Sequence, residues 1–171
     1  MKIALLSDSH SHIDNAILTA IEGVDEIWHA GDVGSWNVID ELQIIAPLRV
    51  VYGNIDDHTF RAEYPLDLHF EIQGLRIFMT HIGGYPGRYA SRVRAIFTET
   101  PCDIFICGHS HICKVMRDPK YNHLMMNPGA IGHHGFHVIR TLLLFEINEG
   151  KLDHLQVVEL GRRGRKNKFK G

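Results

Sequence analysis

Three short apolar runs in the first third of the chain, separated by two amphipathic stretches, constrain its fold more than any other feature. Lys2–Ser7 reads as a buried strand closed by a polar loop. Asp14 can cap a helix carrying Ile17, Leu18 and Ile21, with Gly23 closing it. Glu26–Ala30 is the next strand, and Ser35 can cap a second helix with Trp36, Ile39 and Leu42 at three-residue spacing, stopped near Pro47. Leu48–Tyr52 is a third strand. Strand, helix, strand, helix, strand at this spacing predicts βαβ units and a parallel sheet, because a parallel pair needs a crossover long enough to hold a helix.

The second half changes character. Leu68–Gln73 and Leu75–Thr80 flank Gly74 as a hairpin, Arg88–Thr98 reads as a helix facing inward with Tyr89, Val93 and Ile96–Phe97, and Asp103–Cys107 is another buried strand. Lys114–Arg117, His123–Met126, Val138–Ile147 and Lys151–Glu159 follow, with Glu149–Gly150 as a turn. The expected architecture is α/β: two packed sheets in a sandwich with helices outside. One domain over 1–160 suits 171 residues, and the basic stretch 161–171 is expected to be a disordered tail.

Charge and cysteine usage exclude several classes. The last eleven residues hold six cations and no acid, leaving 12 basic and 20 acidic residues elsewhere, a balance of −8. So acidic a body disfavours nucleic acid as a partner, since polyphosphate affinity needs clustered positive charge. No apolar run approaches the roughly 20 residues of a membrane helix, so no membrane partner is expected. Three cysteines without C-x-x-C spacing fit a reduced, cytoplasmic setting. With thirteen histidines against three cysteines, imidazole and oxygen would be the ligands of any metal.

The chemistry collects after the strands. Asp8-Ser9-His10 follows the first, Gly31-Asp32 the second, Gly53-Asn54-Ile55-Asp56 the third, His81 the hairpin and Gly108-His109-Ser110-His111 the next. Ligands in open α/β sheets sit beyond the carboxyl ends of the strands, so these side chains can converge. In extended backbone, residues i and i+2 point the same way, which would aim Asp8 with His10, and His109 with His111, at one site. Two Asp, one Asn and four His suit Mn, Fe, Co, Ni or Zn better than Ca or Mg. Asp32 has two oxygens with which to bridge two ions.

The order D-x-H, G-D, G-N-x-D, H, G-H-x-H resembles the calcineurin-like metallophosphoesterase superfamily. The short length, Asp8-Ser9-His10-Ser11-His12 and Asn127-Pro128-Gly129 are similar to its small single-domain phosphodiesterase branch. The resemblance spans about Met1 to Glu159 and implies a four-layer αββα fold. It implies two divalent ions, Mn2+ foremost, with Ni2+, Zn2+, Fe2+, Co2+ or Mg2+ as alternatives. Asp8, His10, Asp32 and His111 would hold one ion. Asp32, Asn54, His81 and His109 would hold the other and carry catalysis. By the same resemblance a hydroxide bridging the ions would attack a small or nucleotide-like phosphodiester. Relatives in the branch are often homo-oligomers.

The chain departs from the wider pattern at Ile55, where many superfamily phosphatases carry a histidine that helps the leaving oxygen. Members of the small branch often lack it too, frequently with cysteine there. Weak activity on alkyl monoesters and a preference for diesters or activated esters are expected. A phosphomonoesterase or nuclease is the alternative within the class. His12, His58 or His134 could stand in as the acid, Asp56 could orient a ligand, and Gly83 stands where relatives often have a histidine. Gly83-Gly84-Tyr85-Pro86-Gly87 reads equally as a lid with Tyr85 over the substrate or as a plain loop. A non-catalytic scaffold is the alternative from a different class, since a retromer subunit shares this fold.

Overall fold

A computed structural model describes residues 1–164. Its strands are β1 Lys2–Leu6, β2 Glu26–His29, β3 Leu48–Val50, β4 Asp67–Ile72, β5 Leu75–Thr80, β6 Ile104–Ile106, β7 Cys113–Asp118, β8 His123–Pro128, β9 Ile139–Asn148 and β10 Lys151–Arg162. Its helices are α1 Asn15–Ala20, α2 Trp36–Ile45, α3 His58–Glu63 and α4 Ser91–Glu99. The strands form two mixed five-stranded sheets, ordered β10-β9-β1-β2-β3 and β4-β5-β6-β8-β7. In the first, β1, β2 and β3 run parallel and β9 returns antiparallel on β1. In the second, β5, β6 and β8 run parallel, with antiparallel hairpin partners at both edges.

The alternation of strand side chains explains the layering. Ile3 and Leu5 of β1 point into the space between the sheets, where they meet Trp28, Ile77, Met79, Ile104, Ile106, Met126 and Phe145. Ala4 and Leu6 point the other way, against Ile17 and Ile21 of α1 and Val38, Ile39 and Leu42 of α2. On the second sheet Phe78, Phe105 and Met125 face outward and pack against Val93 and Phe97 of α4. Both faces of each central strand are therefore covered, which is why those strands read as unbroken apolar runs. Each such buried side chain contributes roughly 1.5–3 kcal/mol relative to exposure. The expected αββα sandwich is present.

The fold departs from the sequence reading in several places, among them α4, which starts at Ser91 and leaves Tyr89 ahead of its N-cap Ala90. Asp14 caps α1 by accepting from the Ile17 N–H at 3.1 Å, but the helix ends at Ala20, before Gly23. Ser35 stands at the N-cap of α2 without a side-chain cap bond. Trp36 lies 40% exposed and stacks on Phe60 of α3, with 4.3 Å between ring centroids. The short helix α3 was not expected. Finally, β10 continues through Arg162, and the Arg163 N–H donates to the Val138 carbonyl, so the basic stretch begins inside the sheet. The rest of the expected tail, 165–171, lies outside the described residues. All three cysteines are free, and no helix among the described residues is long and apolar enough to cross a membrane.

Candidate metal centre

The loops after β1 and β2 stay zipped together beyond the sheet. Asp8 N donates to Gly31 O at 3.0 Å, His10 N to Asp32 O at 3.0 Å and Ser11 N to Val33 O at 2.8 Å. His29 reinforces them: its Nδ1 accepts from the Gly31 N–H at 3.2 Å, so Nε2 carries the proton and donates to Ser9 Oγ at 3.0 Å. Ser9 Oγ donates in turn to Val33 O at 2.9 Å. Full burial holds the His29 pKa down at about 4, against the pull of nearby carboxylates, so the ring stays neutral.

Asp56 joins the third loop to the second. It is 1% exposed and accepts from the Val33 and Gly53 N–H at Oδ2, 3.2 and 2.7 Å, and from the Gly34 N–H at Oδ1, 2.8 Å. Two glycines allow the close approaches this requires. A Cβ on Gly53 would lie 2.1 Å from Asp32 Oδ1, and one on Gly31 would lie 2.7 Å from His81 Nδ1.

The candidate ligand side chains then form two groups. The donor atoms of Asp8, His10, Asp32 and His111 lie within 4.8 Å of one another, as do those of Asp32, His81 and His109. Asp32 belongs to both. Its Oδ2 lies 3.6 Å from His10 Nε2 and its Oδ1 lies 3.2 Å from His81 Nε2. His111 Nε2 is 3.0 Å from Asp8 Oδ1 and 3.3 Å from His10 Nε2. Asn54 lines the same cleft. The pairing of Asp8 with His10, and His109 with His111, does not come from extended backbone. Asp8, His10, Asp32, His109 and His111 all have φ between 47° and 66°, so tight left-handed turns aim them inward.

Two observations show that these residues suit metal ions. His81 Nδ1 donates to Ala30 O at 2.8 Å, which fixes the tautomer and turns the bare Nε2 toward the carboxylates. Yet His81 Nε2 and Asp8 Oδ1 are buried and make no hydrogen bond, with Asp32 Oδ1 3.2 Å from the first and His111 Nε2 3.0 Å from the second. The lone pairs converge on shared points instead of on each other. Ligands about 2.1 Å from one ion stand about 3.0–3.4 Å apart, close to the 3.0–3.6 Å separations found here.

The electrostatics agree. Burial acts to raise the Asp32 pKa, but His81, the Ile55 N–H and His10 outweigh it and hold the carboxyl below its ordinary value. Burial acts to lower the His81 pKa, but Asp32 and Asp8 outweigh it and raise it. Asp8 raises His111 against burial, whereas burial lowers His10 despite the same carboxylates. The carboxylates favour positive charge at these rings, supplied by a proton or by a metal that displaces it.

The remaining expected residues separate clearly. His134 lines the cleft, its ring 4.7 Å from that of His10. His58 begins α3 on the surface, and His12 is tied to Asp14 Oδ2 and Arg140 Nη1, both at 3.0 Å; neither borders the cleft. His12, Asp14 and His133 form a third cluster, but Arg140 Nη1 already supplies the cation there. Asn127 acts as a brace, its Nδ2 donating to Gly108 O at 2.8 Å and Ser110 Oγ at 3.2 Å. Ile55 lines the cleft at 44% exposure and offers no proton. Sequence reasoning missed Phe136 at the rim and His137, whose ring lies 5.3 Å from that of His111. The density of histidine and glycine in 132–137 was the available signal.

The chain is similar to known proteins in sequence and in fold. The model of the calcineurin-like phosphoesterase superfamily domain matches residues 1–150. A "probable metallophosphoesterase" of Methanothermobacter thermautotrophicus is 33% identical over 137 residues, 76% of this chain and 77% of its own. A phosphodiesterase of Methanocaldococcus jannaschii is 30% identical over 146 residues, 75% of this chain and 83% of its own. Among solved structures, a novel archaeal phosphodiesterase superposes with TM-score 0.72 at 24% identity, covering 92% of this chain and 100% of that one. Chaetomium thermophilum Vps29 superposes with TM-score 0.75 at 17% identity, covering 93% and 96%. With the ordered ligand motifs, the sandwich and a family match over most of its length, the chain belongs to the calcineurin-like phosphoesterase superfamily.

Proposed function

We propose that the protein is a phosphodiesterase that uses two divalent ions, Mn2+ foremost, to hydrolyse a small, nucleotide-like phosphodiester. The observation that carries this reading is the division of Asp32: one oxygen turns toward His10 and the other toward His81, so one carboxylate serves two ligand groups. Asp8, His10, Asp32 and His111 would hold one ion, and Asp32, Asn54, His81 and His109 the other. Bound divalent ions supply Lewis acidity, acidifying a water and drawing charge from the phosphoryl oxygens.

The chain's own residues do the rest. Asp56 and His29 keep the ligand loops in register, so little reorganisation accompanies binding. The Ala30 carbonyl holds His81 in the tautomer that leaves Nε2 free. The cleft is lined by Asn54, His109, Ser110 and His134, wide enough for a small ester. Ile55 provides no acid for an alkoxide, which supports diesters and activated esters over alkyl monoesters. The phosphodiesterase among the relatives supports the same preference.

The test is hydrolysis of bis-nitrophenyl phosphate beside nitrophenyl phosphate, after chelation and single restoration of Mn2+, Ni2+, Zn2+ or Mg2+. Metal-dependent diester turnover, lost in Asp32→Asn, is expected. No turnover with any metal, in a folded protein that binds two ions, would transfer the assignment to a scaffold or a very selective enzyme.

A further inference from the structure

Beside the metal cleft lies a second cavity of about 260 Å³. Asn54 borders both cavities, and His81 lines the second one. A phosphoryl group at the ligand groups would therefore have this cavity within reach of one of its ester arms. Tyr52, Leu66, Ile82 and Ala90 give it apolar wall, and two arginines, Arg61 and Arg92, give it charge. No carboxylate lines it.

The two guanidinium groups differ in their partners. Arg92 is paired with Asp67 and also donates to Thr80 Oγ1 at 2.9 Å. Arg61 makes no ion pair among the described residues. Its Nε donates to Asp56 O at 2.9 Å and its Nη2 to Asn54 O at 3.2 Å, with the guanidinium carbon 5.3 Å from the centre of the Tyr52 ring. Two neutral carbonyls and an aromatic face thus hold a full positive charge in place without neutralising it. Arg61 is solvent-exposed, and no carboxylate among the cavity's lining residues competes for its free N–H groups. A held guanidinium with free donors is suited to a phosphate, which it can contact through two parallel hydrogen bonds.

We propose that this cavity binds a second phosphate carried on one ester arm of the substrate, with Arg61 as its principal contact and Arg92 as its neighbour. The substrate class is then an organic phosphodiester bearing a further phosphoryl group, such as a nucleoside bisphosphate ester. The inference rests on the phosphodiesterase reading for its substrate, but the cavity can be tested without turnover.

The experiment compares the p-nitrophenyl ester of thymidine 5′-phosphate with its 3′-phosphorylated counterpart, which differ only in the second phosphate. Kinetics of the full chain with Mn2+ are accompanied by calorimetric binding of thymidine 3′,5′-bisphosphate and thymidine 5′-phosphate. The expected result is a preference for the bisphosphate compound of about tenfold or more, in KM and in Kd, the size of one charge-assisted contact. In Arg61→Gln the preference falls toward one, and in Arg92→Gln it falls by a smaller factor. The preference is a ratio within each variant, so a general effect of Arg61 on the Asn54 loop cancels. Equal affinity for the two ligands in the native chain, or a preference unchanged in both variants, overturns the proposal. A calorimetric preference that depends on Arg61, without hydrolysis of either ester, would uphold the cavity and overturn the phosphodiesterase reading.

Discussion

Replacing Asp56 by asparagine separates the connection between the ligand loops from the ligands themselves. The side chain keeps its volume, so no cavity forms, but one acceptor oxygen becomes an N–H2. Oδ2 takes the Val33 and Gly53 N–H groups and Oδ1 takes that of Gly34. Whichever way the amide turns, at least one of these three N–H groups then faces another donor. Each stranded donor costs about 1–3 kcal/mol, and the surviving hydrogen bonds lose the help of the carboxylate charge. A total of about 2–4 kcal/mol follows, which for a chain of this length lowers Tm by roughly 4–16 °C. Thermal melts followed by circular dichroism, in chelator so that metal does not contribute, measure this directly. Because the Asp32 and Asn54 loops both hang on Asp56, Mn2+ affinity measured by calorimetry should fall as well. A Tm within about 1 °C of the native value would refute the role given to Asp56.

Other outcomes follow from the same geometry. Gly53→Ala places a methyl 2.1 Å from Asp32 Oδ1, so metal affinity should drop at least tenfold by calorimetry. Ile55→His sets an imidazole on the cleft wall, and general-acid help is worth about 10²–10⁴ in rate. The ratio of monoester to diester turnover should rise at least tenfold; an unchanged ratio would show that position 55 does not serve the leaving group. His123, 1% exposed and hydrogen-bonded to Tyr89 Oη at 2.9 Å, has its pKa lowered, first by burial. A histidine with a depressed folded-state value stabilises the fold above its unfolded value of about 6.5, and that contribution is lost as pH falls toward the folded value. Urea melts between pH 7 and pH 5 should therefore show a shallower loss of stability in His123→Gln than in the native chain.

Much of this architecture was legible in the residues, for identifiable reasons. Strands covered on both faces leave unbroken apolar runs, and Asp8, Asp32, Asn54, His81 and His109 each follow one, because a buried strand must end where its loop reaches the surface. The turns Gln73-Gly74 and Glu149-Gly150 show the paired positive φ values of tight hairpins, 46° and 86°, then 48° and 76°. What stayed hidden depended on contacts distant in sequence. The left-handed turn at His10 is held by its N–H donating to Asp32 O on the neighbouring loop, a contact that no spacing within Asp8–His12 records. Helix α3 spans six residues with Phe60 as its buried side chain, too short for a periodic pattern, although Asp57 caps it through the Thr59 and Phe60 N–H groups. The withdrawal of His12 from the cleft depends on Arg140, 128 residues away. No spacing within Asp8–His12 records that partner.

Anomalous diffraction from a crystal of the full chain soaked in Mn2+ tests the central claim most directly, because it locates each ion without relying on turnover. The account predicts two peaks on either side of the Asp32 carboxylate, one among Asp8, His10 and His111 and the other among Asn54, His81 and His109. A single peak, or ions bound away from Asp32, would contradict it.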